Sequence, residues 1–328
     1  MRIMNACYEI MAMNGTMFEN IEKVARICYK SEDKICEGSA EKMVRSLVKR
    51  NHEAMLEHES IIFVVEKEND YRKFVRYVDV LESLGFDSMI RTTYFDRGVI
   101  SGNIRMWRDF LRFSLNVMKD ADENDSFKFP QVIADLLAYK SKWPIIFDDM
   151  DMEVKNIFDS GVYVPIHKEQ LTDEEKPYHY TITVKFTVDA GVGREITRHR
   201  KASFAQESTR YVNYNKGQYG SEIAVIKPCF YEEGSEAYNI WRQGCLEAEA
   251  AYMKLIEMGR TPQEARDSLP FSVKSELVMT TVVSEWRHFF NLRAFDVTGA
   301  AHPQMKEITV PLFDAMQNSY PNMFEKPN

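Results

Sequence analysis

The sequence predicts an α+β protein with a mixed or antiparallel central sheet flanked by helices and carrying a long insertion. Three observations lead there. Some stretches repeat apolar residues at helical spacing, and others are short β-branched runs. The two kinds follow one another without the regular strand–helix–strand alternation of a doubly wound parallel sheet. The chain has 328 residues, 45% of them apolar, enough to bury a large core. We read residues 1–328 as one catalytic domain with an insertion over about 70–180.

Residues 17–30 place Ile21, Val24, Ala25, Ile27 and Cys28 at helical spacing, and residues 40–50 do the same with Met43, Leu47 and Val48. HESIIFVVEK (58–67) and TITVKFTV (181–188) read as strands. Between them lie a helix around 104–118 and two acidic loops, KDADENDS (119–126) and KEQLTDEEKP (168–177). EIAVIKP (222–228) reads as a strand, and residues 235–258 as a long helix ended by Gly259. Thr261, Pro262 and Glu264 supply an N-cap, a first-turn proline and a capping-box carboxylate for a helix carrying Arg266. TTVV (280–283) is then a strand, and SEWRHFFNLR (284–293) a helix capped by Ser284.

The net charge of −8 argues against a surface built to track nucleic acid, because phosphate neutralisation needs a basic face. Cys7, Cys28, Cys36, Cys229 and Cys245 form no CxxC pair and leave an odd count, which fits reduced thiols. The start lacks a signal-peptide core, and no stretch approaches the roughly 20 apolar residues of a membrane span. The expectation is a cytoplasmic protein without a membrane partner.

Several motifs invite chemistry. Gly191 and Gly193 follow a strand, but Ile196 stands where a dinucleotide fingerprint needs its third glycine, so a strand-to-helix turn is the better account. His52, Glu53, Glu57 and His58 are ligand types, yet the histidines are six apart, not the four of HExxH, and no metal is expected. Cys229 follows a proline but is followed by Phe230, without an adjacent imidazole, so it reads as structural. The segment 194–210 holds five Lys/Arg (Arg194, Arg198, Arg200, Lys201, Arg210) against Glu195 and Glu207, a local +3. Such a cluster suits phosphate or pyrophosphate, and if helical its consecutive Arg198, His199 and Arg200 point about 100° apart, toward different groups.

RHRKASFAQESTR (198–210) resembles the RHRxxSxxxxSxR signature of the flavin-dependent thymidylate synthases. NHEAMLEHESIIF (51–63), RTPQEARDSLP (260–270), SEWRHFFNLRA (284–294) and HPQM (302–305) resemble further segments of that family, in its order. The matching segments and their flanks cover roughly 15–67 and 180–320.

The resemblance implies a homotetramer that methylates dUMP, with methylenetetrahydrofolate as carbon donor, FAD as redox carrier and NADPH as reductant. It implies FAD contacts at His52, Ala54, Glu57, Arg198, His199, Arg200, Gln206, Ser284 and His288. It assigns dUMP to Glu195, Arg198, Gln206, Glu207, Ser208, Thr209, Arg210, Arg266 and Arg293. It makes Arg293 the expected catalytic residue, set against the uracil edge. A guanidinium there favours the N3-deprotonated ring and makes C5 nucleophilic without a covalent enzyme adduct. Ala54 stands where relatives carry Ser or Thr, and Val282 and Ser284 occupy a stretch that is Asn-x-Arg in others. Two other readings compete: a nucleic-acid-binding module stacking bases on Tyr211, Tyr214 and Tyr219, and a flavin- and nucleotide-binding homologue without activity.

Overall fold

The computed structural model describes residues 1–120, 144–147, 162–208, 214 and 222–327. Its strands, in chain order, are β1 (Arg2–Met4), β2 (Cys7–Ile10), β3 (Ser60–Val65), β4 (Arg91–Tyr94), β5 (Gly98–Asn103), β6 (Val164–Ile166), β7 (Thr181–Asp189), β8 (Ser203–Gln206), β9 (Ala224–Ile226) and β10 (Lys274–Val282). The principal helices are α1 (Met17–Tyr29), α2 (Ser39–Lys49), α3 (Glu68–Ser83), α4 (Ile104–Asp120), α5 (Ala190–Ile196), α6 (Glu236–Glu257), α7 (Pro262–Ala265), α8 (Val283–Arg293) and α9 (Pro303–Ser319). Helices and strands are therefore mixed, as the α+β reading expects.

The chain divides into two compact units, each with its own sheet. One comprises residues 1–14, 23–35 and 182–328, the other residues 15–22 and 36–181. In the first unit the four-stranded sheet runs β2-β7-β10-β8, with β2 antiparallel to β7 and β8 antiparallel to β10. A parallel pair, β1 with β9, lies beside it in sequence terms and is bridged onward from Val225 to Val273. The core of this unit is aromatic: Phe186, Trp286, Phe289, Phe290, Phe313 and Phe324 are all nearly inaccessible. Trp286 stacks on Phe290 at 5.9 Å and meets Phe289 edge-on at 5.4 Å. Its indole N–H donates to the Ile182 carbonyl at 3.1 Å, so the ring is buried without an orphan donor.

The second unit has a fully antiparallel sheet, β4-β5-β3-β6. The expected insertion supplies three of these strands, and none of the three was foreseen from sequence. α4 packs Trp107 edge-on against Phe63 of β3 at 5.3 Å. His179 is wholly buried here, between Ser101 Oγ at 2.7 Å and Thr93 Oγ1 at 2.8 Å. Burial pushes its pKa down to about 4, with the Arg91 guanidinium adding to the effect. The acidic loop at 119–126 lies, after Asp120, outside the described residues.

Three local expectations are corrected. α8 begins at Val283 and its N-cap is Val282 with no side-chain cap, so Ser284 sits inside the first turn. The TTVV strand is the end of a longer one, because β10 starts at Lys274. The Thr261 capping box forms as expected, but its helix ends at Ala265 and Arg266 opens a 3-10 turn. Among the described residues, no helix is long and apolar enough to cross a membrane.

Candidate active site

A cavity of about 510 Å³ opens in the first unit, walled by residues 198–202, by Met279 of β10 and by Glu285, His288, Leu292 and Arg293 of α8. The α8 contribution follows from helical spacing. Val283, Trp286, Phe289 and Phe290 occupy the buried face, which leaves positions 285, 288 and 292 on the opposite stripe. The Arg293 carbonyl accepts from Thr309 Oγ1 of α9 at 2.8 Å, which ties down the end of the helix.

The 198–202 wall is a turn, not a helix, and Arg198, His199 and Arg200 all line the same cavity as the chain leaves α5. α5 starts at Ala190, capped by the Asp189 carboxylate, which accepts from the Val192 N–H at 2.9 Å. Both glycines therefore lie within the helix. A Cβ at Gly193 would come within 3.3 Å of Gln206 Nε2, and one at Gly191 within 2.8 Å of the Phe271 ring. Their role is close approach, which is what the missing dinucleotide fingerprint leaves for them to do.

At the end of this turn Arg293 is held by three acceptors. Its Nη1 donates to Glu195 Oε2 at 3.3 Å, its Nη2 to the Glu195 carbonyl at 3.2 Å, and its Nε to His199 Nε2 at 3.3 Å. Since Arg293 can only donate, Nε2 of His199 must accept, which places the imidazole proton on Nδ1. Burial, followed by the nearby Arg293 charge and then His288, pushes the His199 pKa down to about 4. His199 is thus neutral near pH 7, a single N–H donor packed edge-on against Phe289 at 4.8 Å. The other cations of the wall are Arg198, Arg200 and Lys201, all exposed, with Lys201 3.8 Å from Glu285.

The remaining expected residues are placed as follows. Gln206, at the end of β8, donates from Nε2 to Ser275 Oγ at 2.9 Å. Glu207 is buried: one carboxylate oxygen meets Lys274 Nζ at 2.8 Å and accepts the Glu276 N–H at 3.2 Å. Lys30 in turn pairs with Glu276. Burial alone would push Glu276 up, but Lys274 and Lys30 hold it at about 2. Ser208 is half-buried, while Thr209 and Arg210 lie outside the described residues, as do Tyr211 and Tyr219. Arg266 is exposed, 4.0 Å from Asp267, and Ser284 and His288 are on α8.

His52, Ala54 and Glu57 belong to the second unit, on or beside the 3-10 turn Glu53–His58 that His52 caps. Glu57 pairs with Arg105 at 2.7 Å. Glu53, weighed above as a metal ligand, accepts from Arg108 at 3.1 Å and Arg112 at 2.7 Å. Among the described residues no group of three His, Cys, Asp or Glu side chains is arranged to hold a metal ion. Cys229 is exposed, its thiol pushed up by partial burial and by the Glu307 carboxylate. Sequence reasoning passed over Ser275, Lys274 and Glu276; three consecutive polar residues at the start of a strand buried along nearly its whole length give no periodic signal.

Residues 177–322 match the family model described as thymidylate synthase complementing protein, Thy1. The flavin-dependent thymidylate synthase of Pyrococcus abyssi is 32% identical over 99 residues, 30% of this chain and 40% of that one. Its counterpart in Pyrococcus furiosus is 28% identical over 122 residues, 37% of this chain and 48% of that one. The Haloarcula marismortui protein of the same name is 26% identical over 196 residues, 52% and 72% of the respective lengths. The chain thus spans about two fifths to one half of the first relatives it matches. A UMP/dUMP methylase, PolB from Streptomyces cacaoi, solved with 5-Br dUMP, aligns over 98% of this chain and 95% of its own at 15% identity and a TM-score of 0.40.

Proposed function

We propose that this chain, whose residues 177–322 match the Thy1 family model, is a flavin-dependent thymidylate synthase that methylates dUMP to dTMP. The observation that carries the reading is Arg293, fixed by Glu195 and a neutral His199 at the wall of a cation-lined cavity. The names of the relatives support it. Methylenetetrahydrofolate is the proposed carbon donor and NADPH the proposed reductant.

The donor set fits a flavin dinucleotide. Arg198, Arg200 and Lys201 suit its pyrophosphate, and guanidinium forks bind phosphate oxygens in pairs. His199 would offer one N–H to a carbonyl-type acceptor without adding charge, and His288 and Ser284 would complete the contacts from α8. His52, Ala54 and Glu57 are assigned to the flavin on the resemblance, Ala54 through its backbone alone. The bound flavin would supply the reducing equivalents.

The chain's own residues would bind and polarise the nucleotide. The dUMP phosphate is assigned to Ser208, Thr209, Arg210 and Arg266, with Gln206 between the ligands. The hydrogen bond from Gln206 Nε2 to Ser275 leaves its carbonyl oxygen as the free acceptor. Arg293 places a fixed cation beside the uracil, stabilising negative charge on the ring and making C5 the nucleophile. Activation of that kind needs no thiolate, consistent with the raised Cys229. Homotetramer assembly is part of the proposal, as it is for the family. The test is dTMP formation from dUMP by the purified protein with FAD, NADPH and methylenetetrahydrofolate. Absence of flavin uptake would overturn the reading.

A further inference from the structure

Glu195 and Arg293 are 98 residues apart, yet both the carboxylate and the carbonyl of Glu195 accept from the two terminal nitrogens of Arg293. A third acceptor, His199 Nε2, takes the Nε–H. Of the five N–H bonds of a guanidinium this occupies three and leaves one on each terminal nitrogen, a fork with no further hydrogen-bond partner among the described residues. All three contacts are 3.2 to 3.3 Å, longer than the roughly 2.7–2.9 Å of a strong charge-assisted bond. They orient the arginine without saturating it. The Glu195 side chain is 34% exposed and that of Arg293 20%, so the pair stands at the cavity edge rather than in the core.

Charge makes the arrangement informative. A bare carboxylate beside a nucleotide monophosphate would repel it, as would one beside an N3-deprotonated ring. Paired with Arg293, the same carboxylate is neutralised while the arginine keeps two N–H bonds. The C-terminal end of α5, where the Glu195 carbonyl lies, adds a partial negative charge that also favours the guanidinium.

We propose that Glu195 is a positioning residue: it acts on the substrate through Arg293, holding the guanidinium at the end of α5, and not by touching the nucleotide. The proposal rests on the reading of the site as a dUMP site and reassigns one residue within it. The family resemblance, by contrast, assigns Glu195 to the nucleotide directly.

The test is a double-mutant cycle on the flavin-loaded enzyme with Glu195→Ala, Arg293→Ala and the pair, plus Glu195→Gln. Loss of a hydrogen bond to a charged partner predicts a fall in kcat/KM of about tenfold to a hundredfold for Glu195→Ala. Glu195→Gln keeps an oxygen for Nη1 and should stay within a few fold of wild type. Adding Glu195→Ala to Arg293→Ala should change dUMP affinity no further, because the partner is already gone. An equal loss of dUMP affinity in both backgrounds would show direct contact and overturn the proposal.

A second readout does not need the substrate. The His199 imidazole, followed by NMR titration, should rise in pKa when Glu195→Ala releases Arg293 from its place, and should not respond to that change when Arg293 is already alanine. A wild-type enzyme that binds no dUMP but passes this titration test would refute the substrate reading and leave the positioning role standing. A His199 titration indifferent to Glu195→Ala would overturn the positioning role whatever the substrate.

Discussion

Replacement of Arg293 by alanine separates catalysis from stability. The three bonds it makes are 3.2 to 3.3 Å long and the side chain is 20% exposed, so their loss should lower stability by about 1 kcal/mol or less. The core beneath, Trp286, Phe289 and Phe290, is untouched. Turnover should fall far more. Removing a single preorganised donor typically costs about 10²–10³ in rate, and Arg293 would bring two N–H bonds and a full charge, so dTMP formation should drop at least about a thousandfold. Flavin should remain bound through Arg198, Arg200 and Lys201. The His199 pKa supplies a control on the geometry. Burial is the larger cause of its depression and Arg293 the next, so the variant should raise it from about 4 but leave it short of the ordinary value of 6.5. The assays are dTMP production, flavin absorbance after gel filtration, urea unfolding and the histidine titration. A variant retaining turnover within tenfold of wild type would refute the role given to Arg293, and an unmoved His199 would refute the contact.

Other changes test other parts of the account. Cys229→Ala should leave dTMP formation nearly intact, since burial and Glu307 hold the thiol up and protonated; a dead variant would mean that an enzyme thiolate is needed. Lys274→Met should destabilise the protein by up to about 3–5 kcal/mol in urea unfolding, because it removes the nearer cation of the buried Glu207 carboxylate, at 2.8 Å, and leaves it only Lys30 at 3.9 Å. His179 should make the fold acid-sensitive. Its folded pKa of about 4 lies below the ordinary 6.5, so as pH falls through that window the unfolded chain takes up the proton first and stability is lost. Compared with His179→Asn, wild type should lose about 2.5 kcal/mol more between about pH 7 and about pH 4.5, and a constant difference would mean that His179 is not buried neutral.

Much of the site was legible because it lies in short segments with strong local rules. The apolar stripe of residues 283–290 marks α8, and that stripe dictates that His288 and Leu292 face away from the core. The Thr261 capping box was legible for the same reason, although the 3-10 turn at Arg266 has no comparable signal. β10 was half-read because it starts Lys-Ser-Glu, which looks like solvent-facing loop. Those charges are tolerated inside only because Lys274 meets Glu207, and Lys30 meets Glu276, partners that spacing along the chain cannot reveal. The hairpin β4–β5 was missed because β4 is only four residues long and β5 carries Gly98, Ser101 and Gly102, residues with little strand signal. The tether from Glu195 to Arg293 was invisible for a simpler reason: residues so far apart in sequence meet only once the fold exists.

The most direct test of the central claim is one assay on the purified wild-type protein supplied with FAD, dUMP, methylenetetrahydrofolate and NADPH, with the nucleotide product identified by mass. The account predicts an oxidised-flavin absorbance that travels with the protein and conversion of dUMP to dTMP that stops when flavin is removed. Flavin-free protein, or bound flavin with dUMP left unmethylated, would contradict it.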